Sequence, residues 1–163
     1  LNQFLGLVSL FENGDMEFGD KRVTLTEGTT KSQYTYTDSS MVTTPPEKNI
    51  DLPSEEVSFS MSKDVFARVQ NAANQLQLPE IVVRGDGETV KLVATDVKNP
   101  TSNEFAVNVG EDTHTFNFVF KTENFKMIAG DYTVTISAKG ISHFKGDVAQ
   151  YWIATEAGSK YTA

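Results

Sequence analysis

Residues 57–95, VSFSMSKDVFARVQNAANQLQLPEIVVRGDGETVKLVAT, read as a strand, a helix and a hairpin in direct succession. Val57, Phe59 and Met61 alternate with serines, the two-residue period of a strand with one covered face. Ser62 is placed to cap a helix running to about Leu76, and Pro79 closes that segment because its ring cannot continue a helix. Two alternating runs follow, Ile81 to Gly85 and Thr89 to Thr95, joined across the turn-like Gly85-Asp86-Gly87. Helices interspersed among short antiparallel strands predict an α+β class.

Working outward, Glu104 to Val109 and His114 to Phe120 continue the strand pattern, with Phe116, Phe118 and Phe120 sharing a face. A second short helix is expected after Thr122, ending near Gly130. Strands then follow at Tyr132 to Ile136, Ile141 to Phe144 and Tyr151 to Ala154. Upstream, Leu1 to Phe11 reads as an amphipathic helix, with Asn2, Gln3, Gly6 and Ser9 on one side and Leu1, Phe4, Leu5, Val8 and Phe11 opposite. Asn13-Gly14 ends it, and strands are expected at Arg22 to Glu27 and Ser32 to Thr37. Pro45, Pro46 and Pro53 lie among Ser, Thr, Lys and Glu, which favours an extended connector. The chain is accordingly divided into 1–46, a connector at 47–55, and a second domain at 56–163. A helix followed by Gly14-Asp15 and strands parallels the helix near Asn124 followed by Gly130-Asp131 and strands, so the two parts read as one plan repeated.

Composition excludes several kinds of chemistry. The chain has 163 residues and no cysteine, which removes disulfides, thiolate catalysis and cysteine-bound metals. No apolar run approaches the length that spans a bilayer. The start at Leu1 has no basic n-region or cleavage site, resembling neither a signal peptide nor a native terminus, so an amino-terminal segment is expected to be missing. His114 and His143 have no ligand or triad spacing, and Gly85-Asp86-Gly87 lacks the Lys and helix of a phosphate loop. No catalytic residue, metal or cofactor is assigned.

The net charge of −8, from 22 acids against 14 bases, opposes a generally basic nucleic-acid surface, so how charge is distributed matters more than its sum. The helix after Ser62 reverses the overall trend. Its apolar arc holds Val65, Phe66, Val69, Ala72, Ala73 and Leu76, and its polar arc holds Lys63, Arg68, Gln70, Asn71, Asn74 and Gln75 with Asp64 as the single acid. A face of bases and amides tolerates phosphates. The first helix is likewise acid-free on its polar side, and the segment near Asn124 is flanked by Lys121 and Lys126.

LNQFLGLVSL at 1–10, Thr115-Phe116-Asn117-Phe118, Asn124-Phe125-Lys126-Met127, Gly130-Asp131-Tyr132, Ala138-Lys139-Gly140, Phe144-Lys145-Gly146 and Ala154-Thr155-Glu156-Ala157 together resemble the sliding clamps of T4-like bacteriophages. The resemblance covers nearly the whole chain, is densest from Thr113 onward and is loose between Asn13 and Val57. It implies the DNA clamp fold, in which repeated domains of curved antiparallel sheets carry two helices on the inner face, with residues 1–46 the second half of a first domain. It further implies a non-enzymatic homotrimeric ring around duplex DNA, in the cytoplasm of the infected bacterial host. Such a ring is placed by a clamp loader and tethers the phage DNA polymerase by its C-terminal tail.

Carried over by position, the resemblance makes Lys63, Arg68, Asn71, Gln75, Lys121 and Lys126 DNA-facing. It places the partner-peptide pocket at Ile50, Leu52, Ile141, Trp152 and Ala154. Subunit contacts fall on Tyr34 and Tyr36 of one subunit and Phe105, Val107 and Val109 of the next. The rival reading is an all-β phage structural or ligand-binding module, which would show exposed aromatic platforms and no organised basic helix face. An enzyme would need converging titratable groups in a pocket.

Overall fold

Two units make up the chain, Leu1–Lys48 and Asn49–Ala163, in a computed structural model that describes residues 2–42 and 50–162. In the first unit, α1 (Asn2–Val8) precedes β1 (Asp15–Phe18), β2 (Arg22–Glu27) and β3 (Thr30–Thr35), and a 3-10 turn lies at Ser39–Met41. The strands form an antiparallel meander in the order β1-β2-β3. Val23 and Leu25 of the central strand are fully buried. Phe18 and Tyr34 stand directly opposite Val23 on the two sides, and Phe4 of α1 packs on Tyr34 with ring centroids 5.4 Å apart. Phe18 nevertheless stays 68% exposed, so only the middle of this sheet face is covered.

The helix is shorter than its apolar periodicity suggested. Beyond Val8 the chain closes tighter bonds, from Leu10 N–H to the Leu7 carbonyl and from Phe11 N–H to the Val8 carbonyl, and Leu5 is exposed. The strand expected at 32–37 lies two residues earlier, leaving Tyr36 just past its end. Pro45 and Pro46, with the first residues of the proposed connector, lie outside the described residues.

The second unit runs β4 (Val57–Met61), α2 (Lys63–Gln75), β5 (Glu80–Asp86), β6 (Thr89–Thr95), β7 (Phe105–Glu111) and β8 (Thr115–Lys121). A 3-10 turn at Thr122–Phe125 then leads to β9 (Tyr132–Ser137), β10 (Ile141–Lys145), β11 (Gln150–Ala154) and β12 (Lys160–Thr162). Two antiparallel sheets result, ordered β11-β10-β9-β4 and β12-β8-β5-β6-β7. Their inner faces share one core with the apolar side of α2: Val57, Phe59 and Met61 from β4, Ile81 and Val83 from β5, the three phenylalanines of β8, and Phe66, Val69 and Ala73 from the helix. Burying these side chains supplies the main drive for folding the unit, at about 25 cal/mol per Å² of apolar surface.

Local chemistry explains the element ends. Ser62 accepts a hydrogen bond from the Val65 N–H at 3.3 Å, satisfying a donor that the first turn leaves free. At the other end Gln77 takes a left-handed φ of 53°, and Leu78 N–H bonds back to the Ala73 carbonyl at 2.8 Å, a C-terminal cap that turns the chain toward Pro79. Leu76, placed by periodicity in the apolar arc, sits at this cap and is exposed. Gly87 adopts a φ of 91° in the β5–β6 turn, where Asp86 Oδ1 accepts from Thr89 N–H at 2.8 Å.

The helix expected between Thr122 and Gly130 is a single 3-10 turn. Phe125 is fully buried against Phe120 and Phe144, and its carbonyl accepts the side-chain amide of Gln70 on α2, so the chain leaves the turn instead of winding on. β1 and β12 are additional to the strands read from sequence. Both units therefore continue from a helix or turn into a three-stranded meander, β1-β2-β3 in one and β9-β10-β11 in the other.

Candidate nucleic-acid and partner interfaces

The helix α2 turns Phe66, Val69 and Ala73 into the core and leaves Lys63, Arg68, Asn71 and Gln75 exposed, so these four proposed DNA-facing residues share the solvent side of one element. Asp64 in the first turn is also exposed, and Asp131 receives the Lys63 backbone N–H at 2.6 Å. The face is thus rich in amides and lightly basic. Gln70 does not belong to it, being committed to the Phe125 carbonyl. That bond docks the 3-10 turn beside α2 and brings the exposed Lys126, the next residue, to the helix flank.

Lys121 is placed elsewhere. It ends β8 on the side of Asn117 and Val119, opposite the core-facing phenylalanines, and stands in register with Glu80. There it lines a groove of about 840 Å³ together with Glu80, Val82, Arg84 and Lys160, on the sheet face turned away from α2. Lys121 therefore does not share the exposed face of α2 with Lys63 and Arg68: the two-residue period of the strand, not the neighbouring turn, decides where its side chain goes.

The two strands proposed for subunit contact both lie at sheet edges, β3 in the first unit and β7 in the second. An edge strand presents unpaired backbone donors and acceptors. Phe105, Val107 and Val109 themselves are half-buried and pack against the core, so what β7 offers is its main-chain edge more than these side chains. Tyr34 is likewise engaged by Phe4, and Tyr36 is exposed beyond β3.

Of the proposed pocket residues, Ile141, Trp152 and Ala154 come together. Ile141 stands directly opposite Ala154, and Trp152 opposite His143, all on the outer face of the four-stranded sheet. Trp152 is half-buried there and is not a core residue. Ile50 is exposed and Leu52 half-buried in the segment entering β4, which is tied to the end of β9. Ser54 Oγ lies 2.7 Å from Ser137 Oγ, and Glu56 accepts the Ala138 N–H at 2.8 Å. That backbone bond holds the Glu56 carboxyl below its ordinary value, against the opposing effect of burial, with the Ser54 hydroxyl and the Lys139 charge assisting. Residues 50–56 thus reach the Ile141 end of the sheet, since Ser137 is the register partner of Ile141. His143 and Gln150, which complete this surface, were missed from sequence because only the β10–β11 register sets them beside Trp152.

Two antiparallel sheets thus share a core with a helix whose free face carries bases and amides. Solved clamps have the same fold. The chain superposes on A. fulgidus PCNA, solved with the C-terminal region of FEN-1 bound, at a TM-score of 0.63 and 13% identity over 98% of this chain and 71% of that one. It matches the DNA polymerase III subunit beta DnaN sliding clamp of Bartonella birtlesii at a TM-score of 0.63 and 14% identity, over 95% of this chain and 45% of that one. The family described as gp45 sliding clamp, C terminal, matches residues 58–157. The chain is 38% identical to the sliding clamp of Vibrio phage KVP40 over 96% of its length and 74% of that protein. It is 26% identical to the sliding clamp of Enterobacteria phage T4, over 99% of this chain and 75% of that protein. This chain belongs to the gp45 sliding clamp family, and its function is that of a sliding clamp in phage DNA replication. The rival reading as an all-β structural or ligand-binding module is set aside by that membership.

Proposed function

We propose that the chain acts without a catalytic step of its own, as a subunit of a homotrimeric ring that encircles duplex DNA in the cytoplasm of the infected bacterial host. A clamp loader places the ring, and a C-terminal tail of the phage DNA polymerase docks on it. The observation that carries the reading is the exposed face of α2: Lys63, Arg68, Asn71 and Gln75 with one acid, in a chain of net charge −8. Such a face attracts phosphates without reading bases, while acids elsewhere repel DNA, so the duplex is held at one surface and free to slide along it. Lys126 extends that face. Edge pairing of β3 with β7 of the next subunit continues the sheets across the joint and leaves neither edge bare. Tail docking is supported by the apolar cluster Ile141, Trp152 and Ala154, next to the segment that carries Ile50 and Leu52. The proposed division at 1–46, 47–55 and 56–163 makes that segment the link between domains.

Sedimentation velocity over a concentration series tests the ring. A trimer that grows in with concentration is expected, and a strict monomer at the highest concentration overturns encirclement. No helix among the described residues is long and apolar enough to cross a membrane.

A further inference from the structure

The outer face of the four-stranded sheet changes character across its width. β4 contributes Ser58 and Ser60 and β9 contributes Thr133 and Thr135, all hydroxyls, whereas β10 and β11 contribute Ile141 and His143 against Ala154 and Trp152. The His143 imidazole lies on the Trp152 indole with centroids 4.6 Å apart and planes within 13°. Gln150 Oε1 is 2.9 Å from His143 Nε2, so the imidazole is fixed at one edge by an amide and across one face by the indole. A stacked aromatic pair in adjacent strands restricts both side chains to one arrangement.

We propose that His143 is a positioning residue for partner binding: by stacking on Trp152 it holds the indole off the Ile141–Ala154 floor, which then receives an apolar side chain of a partner's C-terminal tail. The proposal rests on the reading that such a tail docks on this subunit. Ile141 and Ala154 lie two residues from His143 and Trp152 on the same face, a diagonal within reach of an indole. Without its stacking partner the indole is free to fold over that floor and occlude it. The segment 50–56, pinned at Ser137 and Ala138, supplies a second wall at the Ile141 end, so the floor is bounded by an ordered aromatic on one side and by backbone on the other. Ile141 and Ala154 are apolar and suit an apolar side chain of a tail, with Lys145 on the same face beyond His143 and the Glu56 carboxylate at the wall.

Trp152 is the single tryptophan of the chain, so its emission reports this surface alone. The test titrates the 163-residue chain with a synthetic peptide of the C-terminal residues of the Vibrio phage KVP40 replicative DNA polymerase, following Trp152 emission and, independently, peptide anisotropy. His143→Ala is expected to weaken binding about five- to tenfold, the equivalent of losing one aromatic pair. It should also shift the emission of the free protein and lower the urea unfolding midpoint slightly, since the stack is lost from the folded state. His143→Phe, which restores a stacking ring without the imidazole nitrogens, should recover most of the affinity. Ile141→Glu should abolish binding. If Ile141→Glu abolishes binding and His143→Ala leaves it at the wild-type level, the positioning role is overturned while tail docking stands. If the unmodified chain does not bind the peptide, or Ile141→Glu binds as well as it does, tail docking at this surface is overturned and the positioning role with it.

Discussion

Gly85 shows how tightly a single position can be determined. A Cβ built there would lie 2.5 Å from the Phe116 ring, which is itself 1% exposed and has nowhere to move. Gly85→Ala is therefore expected to cost about 1–3 kcal/mol, the usual penalty for overpacking, read as a lower urea midpoint at unchanged slope. An unchanged midpoint would mean that the ring and strand give way freely. At this scale the sequence was informative wherever one period governed the residue. Val57, Phe59 and Met61, or Phe116, Phe118 and Phe120, are buried as their alternation required. It misled where two elements meet. Lys121 was grouped with the helix cations because of the turn that follows, yet it is the last residue of a strand and obeys the strand's alternation. Gln70 fell on the polar side of a helical wheel, and no wheel records that a carbonyl from 55 residues away would claim its amide.

The helix α2 is delimited by interactions that can be removed one at a time. Ser62→Ala leaves the first-turn N–H of Val65 without its side-chain acceptor and is expected to destabilise the unit by about 1 kcal/mol, measured by thermal or urea unfolding. Glu56 joins the segment before β4 to the end of β9, and its carboxyl is held below the ordinary 4.5. A depressed folded value means that the ionised form is the one stabilised by folding. Its contribution is complete above 4.5 and fades as the pH falls through that value toward the folded one. Glu56→Gln should therefore lower stability at neutral pH and converge with the unmodified chain in acid. Parallel unfolding curves at every pH would show that the bond to Ala138 N–H adds nothing. Most elements were legible in the sequence, and the exceptions share a cause. In β1, Met16 and Phe18 alternate with Asp15 and Glu17, but the run is only four residues long and all four are exposed, and β12 has three residues and exists only by pairing with Thr115–Asn117. The turn at Thr122–Phe125 has the composition of a helix start, but the burial of Phe125 ends it after one turn.

For the whole molecule, the resemblance drew on motifs scattered from Leu1 to Ala157, and family membership followed from their sum. The division of labour between faces was less legible, because it depends on which strand end meets which helix. If α2 faces the duplex, Arg68→Ala should weaken DNA binding equally for all sequences and flatten the plot of log affinity against log salt by about one unit for each phosphate that is no longer neutralised. An unaltered slope would remove Arg68 from the interface. The pairing of β4 with β9 also has a consequence for how the chain is made. Val57, Phe59 and Met61 leave the ribosome early, but their partners Tyr132, Val134 and Ile136 follow only about 75 residues later, at a synthesis rate of about 5–20 residues per second. For several seconds the nascent chain therefore carries a strand with an apolar face and no sheet to join, and it is in that interval that a chaperone would have the most to gain by holding it.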